Sequence, residues 1–331
     1  MFAYLIHRLF IMVPTLLAIS VLIFVIIQLP PGDYLTTLVN ELQSQGETVN
    51  QEKLDFLRQQ YGFDKSLVEQ YLMWVAGMAE GDFGFAFEYN LPVTEVVGDR
   101  LFLSMIVAIG TIIFTYLVAF PIGVYSATHQ YSVTDHTLTF IGFLGLATPN
   151  FLLALIFLYF ANVTFGTSIG GLMDSSYIDA PWSLDKILSI LEHLWIPVVV
   201  IGTSGTAGMI RRLRANLLDE LEKPYVVTAR AKGLPPLRAL RYPLRMALNP
   251  FISDIGNLLP QIISGATIVA VVLSLPTTGP LLLRALQSQD MYLAGFLLMC
   301  LAALTVIGVF ISDIALAALD PRIRLHGGRS R

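Results

Sequence analysis

The strongest chemical signal in this sequence is a basic segment at residues 223–250. Small residues alternate with cations there, at Ala229, Ala231 and Gly233, and two prolines follow the glycine closely. Glycine and proline together end a helix sharply, and residues 237–248 then resume a helical pattern. Because small side chains allow close approach and cations add complementary charge, the segment is predicted to dock onto another surface. An amphipathic helix lying on anionic lipid is the alternative that the basic residues alone leave open.

The residues predicted to dock fall into a contact core and an edge. We expect the core to consist of Thr228, Ala229, Ala231, Gly233 and Leu234. We expect the cations at the edge to be Arg230, Lys232 and Arg238.

Ser204 is the second residue whose surroundings could indicate chemistry. The segment Gly202–Gly205 resembles the serine motif of rhomboid intramembrane proteases, in which the serine is the nucleophile. Such a serine needs a base within hydrogen-bond reach, and that family takes its histidine from a later membrane span. Since all five histidines of this chain lie outside its apolar runs, close packing of small residues between helices is the favoured interpretation.

Other patterns of catalysis and metal binding are missing from the sequence. It contains no phosphate-binding glycine loop, no HExxH motif and, with Cys300 as its single cysteine, no cysteine pair. We therefore expect no catalytic residue, no cofactor and no metal ion in this chain.

The elements that must position these residues are membrane spans. Of the 331 residues 55% are hydrophobic and 13% are charged, against about 25% charged residues in soluble domains, which excludes an ordinary soluble enzyme and a disordered chain. Six apolar runs approach the roughly 20 residues that a helix needs to cross a bilayer, and the third is interrupted by Pro149. The runs are Leu9–Leu29, Leu101–Val124, Leu138–Val163, Leu194–Ile210, Ile255–Leu275 and Met291–Ser312.

The distribution of basic residues predicts the orientation of these spans. Fourteen of the twenty Lys and Arg residues lie before the first run, in the connection 211–254 or after the sixth run. Positive charge marks the cytoplasmic side, so both chain ends and the connection 211–254 are predicted to be cytoplasmic. The spans hold almost no ionisable residues, so the sequence favours an energy source outside this chain. The formal net charge of −4 gives no indication of nucleic-acid binding.

Two longer connections are predicted to lie on the opposite side of the membrane. Residues 30–100 carry twelve carboxylates and four basic residues. Helical spacing is present at 50–60 and at 66–79, where Leu67, Tyr71, Trp74 and Val75 share one face. The connection 164–193 contains a short amphipathic stretch, Leu184–Leu191, and the two connections are expected to pack together as a helical cap.

The sequence resembles the permeases of binding-protein-dependent ABC importers, in the branch that handles dipeptides, oligopeptides and nickel. The run Tyr225–Leu234 is similar to the cytoplasmic motif through which these permeases contact their ATPases. Tyr34 stands where the branch usually has a proline, and Val227 and Thr228 stand where the wider superfamily has a glutamate. The other matching motifs, in chain order, are Pro31–Asp33, Tyr61–Lys65, Gln70–Tyr71 with Trp74, Gly81–Gly84, Pro92–Val93, Thr148–Phe151 and Asp320–Ile323.

The resemblance implies an all-α polytopic membrane protein, the transmembrane subunit of a type I ABC importer with six transmembrane helices and an extracytoplasmic cap. It divides the chain into a cytoplasmic N-terminus with the first helix (1–29), a periplasmic segment (30–100), a permease core (101–318) that contains the coupling segment 211–254, and a cytoplasmic tail (319–331). The implied location is the bacterial inner membrane.

The resemblance also implies partners and a transport role. The partners are a second homologous permease, two ATPase subunits that hold ATP and Mg²⁺, a periplasmic binding protein and membrane lipid. Peptides are the expected solutes, with oligosaccharides, opines or nickel as alternatives. Pro149 and Asn150 are expected to bend the third span near the transport pathway, although a packing role for them is equally compatible with the sequence.

Overall fold

The computed structural model describes residues 2–45, 54–55, 58–59, 61–165, 170–178 and 180–319. The first elements are α1 (Phe2–Gln28), α2 (Tyr34–Ser44), α3 (Leu67–Glu80), β1 (Phe85–Ala86) and β2 (Leu91–Pro92). They are followed by α4 (Val93–Thr128), α5 (Val133–Ala147), α6 (Asn150–Phe165), a 3-10 turn (Ser175–Tyr177) and α7 (Leu184–Leu221). The last are α8 (Pro224–Ala231), α9 (Pro236–Ala247), α10 (Asn249–Gly265), α11 (Thr267–Val272), α12 (Thr278–Gln287) and α13 (Met291–Leu319).

This architecture confirms the all-α class, since β1 and β2 form only a two-residue antiparallel pairing. The chain divides into two compact units, one formed by residues 1–104 and 277–306 and the other by residues 105–276 and 307–331. The motif Asp320–Ile323, the tail after Leu319 and most of the expected helix at 50–60 lie outside the described residues.

Four described helices, α1, α4, α7 and α13, are long and apolar enough to cross a membrane. They contain the second, fourth and sixth apolar runs and all but the last residue of the first. A fifth candidate is the pair α5 and α6, whose axes are bent by 98°. Pro149 causes the break, because a residue before proline avoids the α conformation and Thr148 is extended with ψ of 122°. The total of six spans stays a prediction.

The fifth apolar run, Ile255–Leu275, forms two helices, and its crossing of the membrane stays a prediction. The chain forms the 17-residue α10 and the six-residue α11 there, separated at Ala266. Gly265 weakens the helix at this point because glycine has a low helix propensity. Ser274 then adopts a left-handed φ of +53°, which ends the segment before Pro276.

The amphipathic stretch Leu184–Leu191 is helical and is continuous with the apolar run that follows it. These residues are the first turns of α7, which begins after the N-cap Ser183 and continues through Leu221. Nothing in the sequence before Pro197 interrupts helical hydrogen bonding. The segments 30–100 and 164–193 belong to different compact units, and a shared cap remains a prediction.

In the first unit, α3 packs on α1 through an aromatic cluster. Trp74 is buried. The centroid of the Phe24 ring lies 6.1 Å from that of the Trp74 ring and 5.5 Å from that of the Tyr71 ring. A capping box of Ser66 and Glu69 begins α3. Three of the four residues predicted for the packing face are in or against this cluster, but the fourth, Leu67, is 57% exposed, because it is the first residue of the helix.

A buried carboxylate links the hairpin of the first unit to α13. Asp290 accepts hydrogen bonds from the backbone N–H groups of Phe87, at 2.7 Å, and Leu293, at 3.1 Å. Burial raises the pKa of Asp290 to about 6, while those N–H groups oppose the rise by stabilising the anion. The side chain therefore fixes both the hairpin and the first turn of α13.

In the second unit, an ion pair joins α5 to α7. The guanidinium of Arg214 donates to both carboxylate oxygens of Asp135, at 3.0 and 2.8 Å. The Asp135 side chain is 2% exposed, and it also accepts from the backbone N–H of Tyr131. Two-point contact of this kind fixes orientation as well as distance.

A glycine contact brings α10 against the end of α13. A Cβ at Gly256 would overlap the backbone of Gly308, so only glycine allows the two helices to approach this closely. The N–H of Gly256 donates to Ser312 Oγ at 2.8 Å. The second unit therefore includes the last turns of α13.

Candidate functional site

The basic segment is anchored to the end of α7 by an apolar cluster. Leu213 and Leu217 of α7 pack with Ala247 of α9 and Phe251 of α10, and all four side chains are buried. The opposite side of α9 carries exposed cations. This amphipathic arrangement fixes α9 on α7 and leaves the cations of α9 exposed.

Helix α8 begins at a proline and is held by two contacts. Pro224 occupies the first turn, where the missing N–H has no cost. Val226 is 1% exposed, and the hydroxyl of Tyr225 donates to the carboxylate of Glu220 in the last turn of α7. Partial burial, together with the Glu220 carboxylate, raises the pKa of Tyr225 above its ordinary value, so the phenol remains a donor at physiological pH.

A Schellman motif ends α8 at Gly233. The N–H of Leu234 donates to the carbonyl of Ala229 at 3.3 Å, and the N–H of Gly233 donates to that of Arg230 at 2.9 Å. Gly233 has a left-handed φ of +75°, which non-glycine residues adopt at a cost. We call residues 228–238 the coupling turn. The break and the second helix that the sequence predicts are both present.

The predicted docking residues are accessible in the coupling turn. Ala229 and Leu234 are half-buried, and their backbone groups form the closing hydrogen bond of the motif. Among the described residues, the three cations of the edge have no ion-pair partner. The exposed members of the predicted set are Thr228, Arg230, Ala231, Lys232, Gly233 and Arg238.

Two apolar residues of the coupling turn region were missed by sequence reasoning. Val227 is 59% exposed and Leu237 is 83% exposed. They precede and follow the small residues, so the exposed surface is apolar with a basic edge. For Leu237, the position directly after two prolines was the available signal, because an apolar residue beside a chain reversal has little core to enter.

A second candidate site is a cavity of about 220 Å³ in the second unit, among α4, α6, α7 and α10. Its walls combine small residues, such as Gly205 and Gly265, with aliphatic side chains. It contains hydroxyl and amide groups and one guanidinium. The polar side chains that line it are Thr111, Thr115, Tyr116, Asn150, Ser204, Arg212 and Gln261.

The structure separates the two residues expected near the transport pathway. Asn150 lines the cavity, and its Nδ2 donates to Ser204 Oγ at 3.3 Å. Pro149 is exposed and is not part of the lining. Pro149 therefore positions Asn150 through the bend between α5 and α6.

Ser204 and the charged groups near it have local partners. Asn150 is the hydrogen-bond partner of Ser204 among the described residues, and no histidine is. Arg212 Nη1 lies 2.6 Å from Asp254 Oδ2, so these two side chains form an ion pair. Within the described part of the chain, no group of three or more His, Cys, Asp or Glu side chains could hold a metal ion.

Comparison with known proteins identifies the family. Residues 119–325 match the family described as "binding-protein-dependent transport system inner membrane component", and residues 1–108 match the N-terminal component of the same system. The chain belongs to this family. With several membrane-length apolar helices, this permease is a multi-pass protein of the inner membrane.

Relatives of known name match the permease from end to end. The oligopeptide transport system permease protein AppB of Bacillus subtilis is 34% identical, over 98% of this chain and 99% of the relative. The dipeptide transport system permease protein DppB of Escherichia coli is 27% identical, again over 98% of this chain and 99% of the relative.

A solved structure supports the fold of the permease. A chain of the MetNI methionine ABC transporter, in an inward-facing conformation, matches with a TM-score of 0.51 and 16% identity. The match covers 69% of this permease and 97% of that chain. The fold is therefore that of a type I ABC importer permease.

Sequence reasoning missed most of the cavity lining of the permease. Thr111 and Thr115 stand four residues apart in an apolar run, a spacing that places both on one helix face. Polar residues that share one face of a membrane helix are the signal that could have found them. Gln261 carries the same signal, since Asn257 stands four residues before it in the fifth apolar run.

Proposed function

We propose that this chain is the pore-forming subunit of an ATP-driven importer that receives peptides or similar small oligomeric solutes from a periplasmic binding protein. The observation that carries the proposal is the coupling turn, an exposed surface of small and apolar residues closed by the Schellman motif at Gly233. A left-handed glycine without a Cβ lets a partner surface approach the backbone. Lipid binding alone does not require such a turn.

The partners are those of an ABC importer. A second permease of the same fold pairs with this chain, and two ATPase subunits, which bind ATP and Mg²⁺, each receive one coupling turn. The exposed Arg230, Lys232 and Arg238 contact acidic groups at the edge of the ATPase surface. This chain is itself non-catalytic and contributes no cofactor.

Transport then follows from movement of the coupling turn. Closure of the ATPases around ATP displaces the turn, and α9 passes the displacement to α7 through Leu213 and Leu217. A switch between two packings of the helices opens the pore alternately to either side. Energy therefore enters at the coupling turn.

The orientation follows from the distribution of basic residues. Both chain ends and the coupling turn face the cytoplasm, since fourteen of the twenty basic residues lie in those parts. Residues 30–100 face the periplasm, where the binding protein docks.

Peptides are the proposed solutes because the relatives are named for oligopeptides, dipeptides, and di- and tripeptides. The binding protein sets much of the specificity of such a system. Screening the purified binding protein with peptides, oligosaccharides, opines and Ni²⁺ distinguishes the solute classes.

Affinity purification of the intact complex tests the partner assignment. We expect this chain, isolated in mild detergent from its native cells, to bring with it a second permease and two P-loop ATPases. Recovery of the chain alone would contradict the proposal and would favour the lipid-surface interpretation of the basic segment.

A matched pair of glycine variants assigns the ATPase contact to the coupling turn. Gly81 also ends a helix with a left-handed φ, +86°, and, as at Gly233, a Cβ there would meet no atom within 4 Å. We expect Gly233→Asp to abolish co-purification of the ATPases and solute uptake, while the chain remains in the membrane. Gly81→Asp carries the same strain and charge, and it should retain the ATPases. Normal uptake by Gly233→Asp would exclude the assignment.

A further inference from the structure

The 220 Å³ cavity among α4, α6, α7 and α10 contains polar groups that the coupling mechanism does not use. We infer that it is a transit subsite, which binds uncharged hydrogen-bonding groups of the solute, such as peptide amides, on their way through the pore. The inference rests on the proposed function and extends it to named residues.

The charges around the cavity favour a neutral group. Arg212 is the charged residue of the lining, and Asp254 balances it at 2.6 Å. Asn150, Ser204 and Gln261 offer amide and hydroxyl groups, which can both donate and accept. A cavity with this lining recognises an amide or a hydroxyl rather than a free charge.

The hydroxyl of Thr111 supplies an independent observation. Thr111 lines the cavity and is 1% exposed, and its Oγ1 has no hydrogen-bond partner among the described residues. Helical threonines usually bond the carbonyl four residues earlier, as Thr203 and Thr305 do here at 2.6 and 2.8 Å. Leaving a buried hydroxyl unsatisfied costs free energy, so we assign this donor to the passing solute, which reaches it as the helices shift.

The size of the cavity suits passage rather than storage. Pockets that enclose a whole drug-sized ligand measure about 300–1,000 Å³, and this one measures about 220 Å³. It therefore takes one part of an oligomeric solute at a time. Gly205 and Gly265 keep its walls smooth, so a peptide backbone can slide past them.

Cysteine labelling during turnover tests occupancy of the cavity. Cys300 is the single native cysteine, so Ser204→Cys in a Cys300→Ala background places one thiol in the cavity. The complete transporter is reconstituted in liposomes with its binding protein, ATP and trialanine as the probe. We expect trialanine to slow modification of that thiol by a small methanethiosulfonate reagent at least threefold.

Ser264→Cys is the matched control for labelling. Ser264 is exposed on α10, close to Gln261, and does not line the cavity. Its modification rate should not depend on trialanine. Equal rates with and without trialanine for Ser204→Cys, in a transporter that imports trialanine, would overturn the inference.

Two threonine variants test the buried hydroxyl. Thr206 also has a buried hydroxyl without a described partner, but it does not line the cavity. We expect Thr111→Val to lower the number of trialanine molecules imported per ATP hydrolysed at least threefold, with unchanged complex assembly. Thr206→Val should leave this ratio unchanged. An equal ratio in both variants would mean that both hydroxyls are packing features.

The wild-type transporter separates failure of this inference from failure of the proposed function. Binding-protein-dependent import of trialanine by the wild type, combined with no protection of Ser204→Cys, contradicts the transit subsite alone. Absence of import in the wild type, even though the binding protein binds trialanine, contradicts the proposed peptide transport and the inference that rests on it.

Discussion

Gly233 determines the geometry of the coupling turn, because its left-handed φ of +75° allows the two closing hydrogen bonds of the Schellman motif. A left-handed conformation costs a non-glycine residue about 1–2 kcal/mol, with asparagine among the least affected residues. No described residue lies within 4 Å of a Cβ placed here, so steric overlap with the described part of the chain does not contribute to that cost.

Gly233→Val and Gly233→Asn separate backbone strain from side-chain bulk. We expect Gly233→Val to lose most ATPase binding, because a β-branched residue strongly avoids the left-handed region. Gly233→Asn should retain considerably more ATPase binding, although the asparagine side chain is similar in size to that of valine. Co-purification of the ATPases measures the difference. Equal loss in both variants would mean that any side chain blocks the partner surface and that strain is secondary.

Asp290 makes the first unit sensitive to pH. Its pKa of about 6 lies above the ordinary value near 3.9, so the folded state favours the protonated form. The stabilisation is complete below about pH 4 and is lost as the pH rises through about 6.

The melting temperature of the purified chain reports this titration. We expect the wild type to lose stability relative to Asp290→Asn as the pH is raised from 4 to 7. Asp82→Asn, at an exposed carboxylate of the same unit, should follow the wild type. A constant difference in melting temperature between the wild type and Asp290→Asn over this pH range would contradict the raised pKa of Asp290.

At the scale of elements, the contact between α5 and α7 depends on the pair formed by Asp135 and Arg214. The side chain of Asp135 is buried, and that of Arg214 is only a quarter exposed. Removing one member of such a pair leaves a poorly solvated charge, which costs more than the pair itself contributes.

A double-mutant cycle tests this contact. We expect Asp135→Leu alone to reduce the free energy of unfolding by about 2 kcal/mol or more. Asp135→Leu combined with Arg214→Leu should recover part of the loss, because no unpaired charge remains. Strictly additive effects would show that the two side chains do not interact in the folded chain.

The elements also show how far the sequence predicts this fold. Runs of apolar residues located α1, α4 and α13, and Pro149 located the bend between α5 and α6. The break at Ala266 was not predicted, since Gly265 is one of several glycines in apolar runs and most of them stay helical. Periodicity likewise could not show that Leu184–Leu191 joins the following span, because an amphipathic segment and a buried one can share a helix.

The two candidate sites, the coupling turn and the cavity, also differ in how far the sequence predicts them. The coupling turn follows from local chemistry, because glycine, prolines and small residues act within a few positions of each other. The cavity depends on tertiary packing, which brings Thr111, Asn150, Ser204 and Gln261 together from four helices. Only Asn150 was expected near a pathway.

At the scale of the whole molecule, the proposed orientation can be measured directly. We expect a cytoplasm-active reporter fused at either chain end to be active, and a periplasm-active reporter inserted within residues 46–50 to be active. Periplasmic activity at the C-terminus, with a cytoplasmic N-terminus, would require an odd number of spans. The segment formed by α10 and α11 would then be the first candidate for one that does not cross the membrane.

The length of α7 has a further consequence. Its 38 residues form a rod about 57 Å long at 1.5 Å per residue. This helix carries both Ser204, which lines the cavity, and Leu217, which belongs to the apolar cluster that anchors α9. Each residue turns the rod by about 100°, so the two sites are related by a helical phase as well as by a distance. One residue added or removed between Ser204 and Leu217 would point one site away from its neighbours. This stretch should therefore keep a constant number of residues among related permeases.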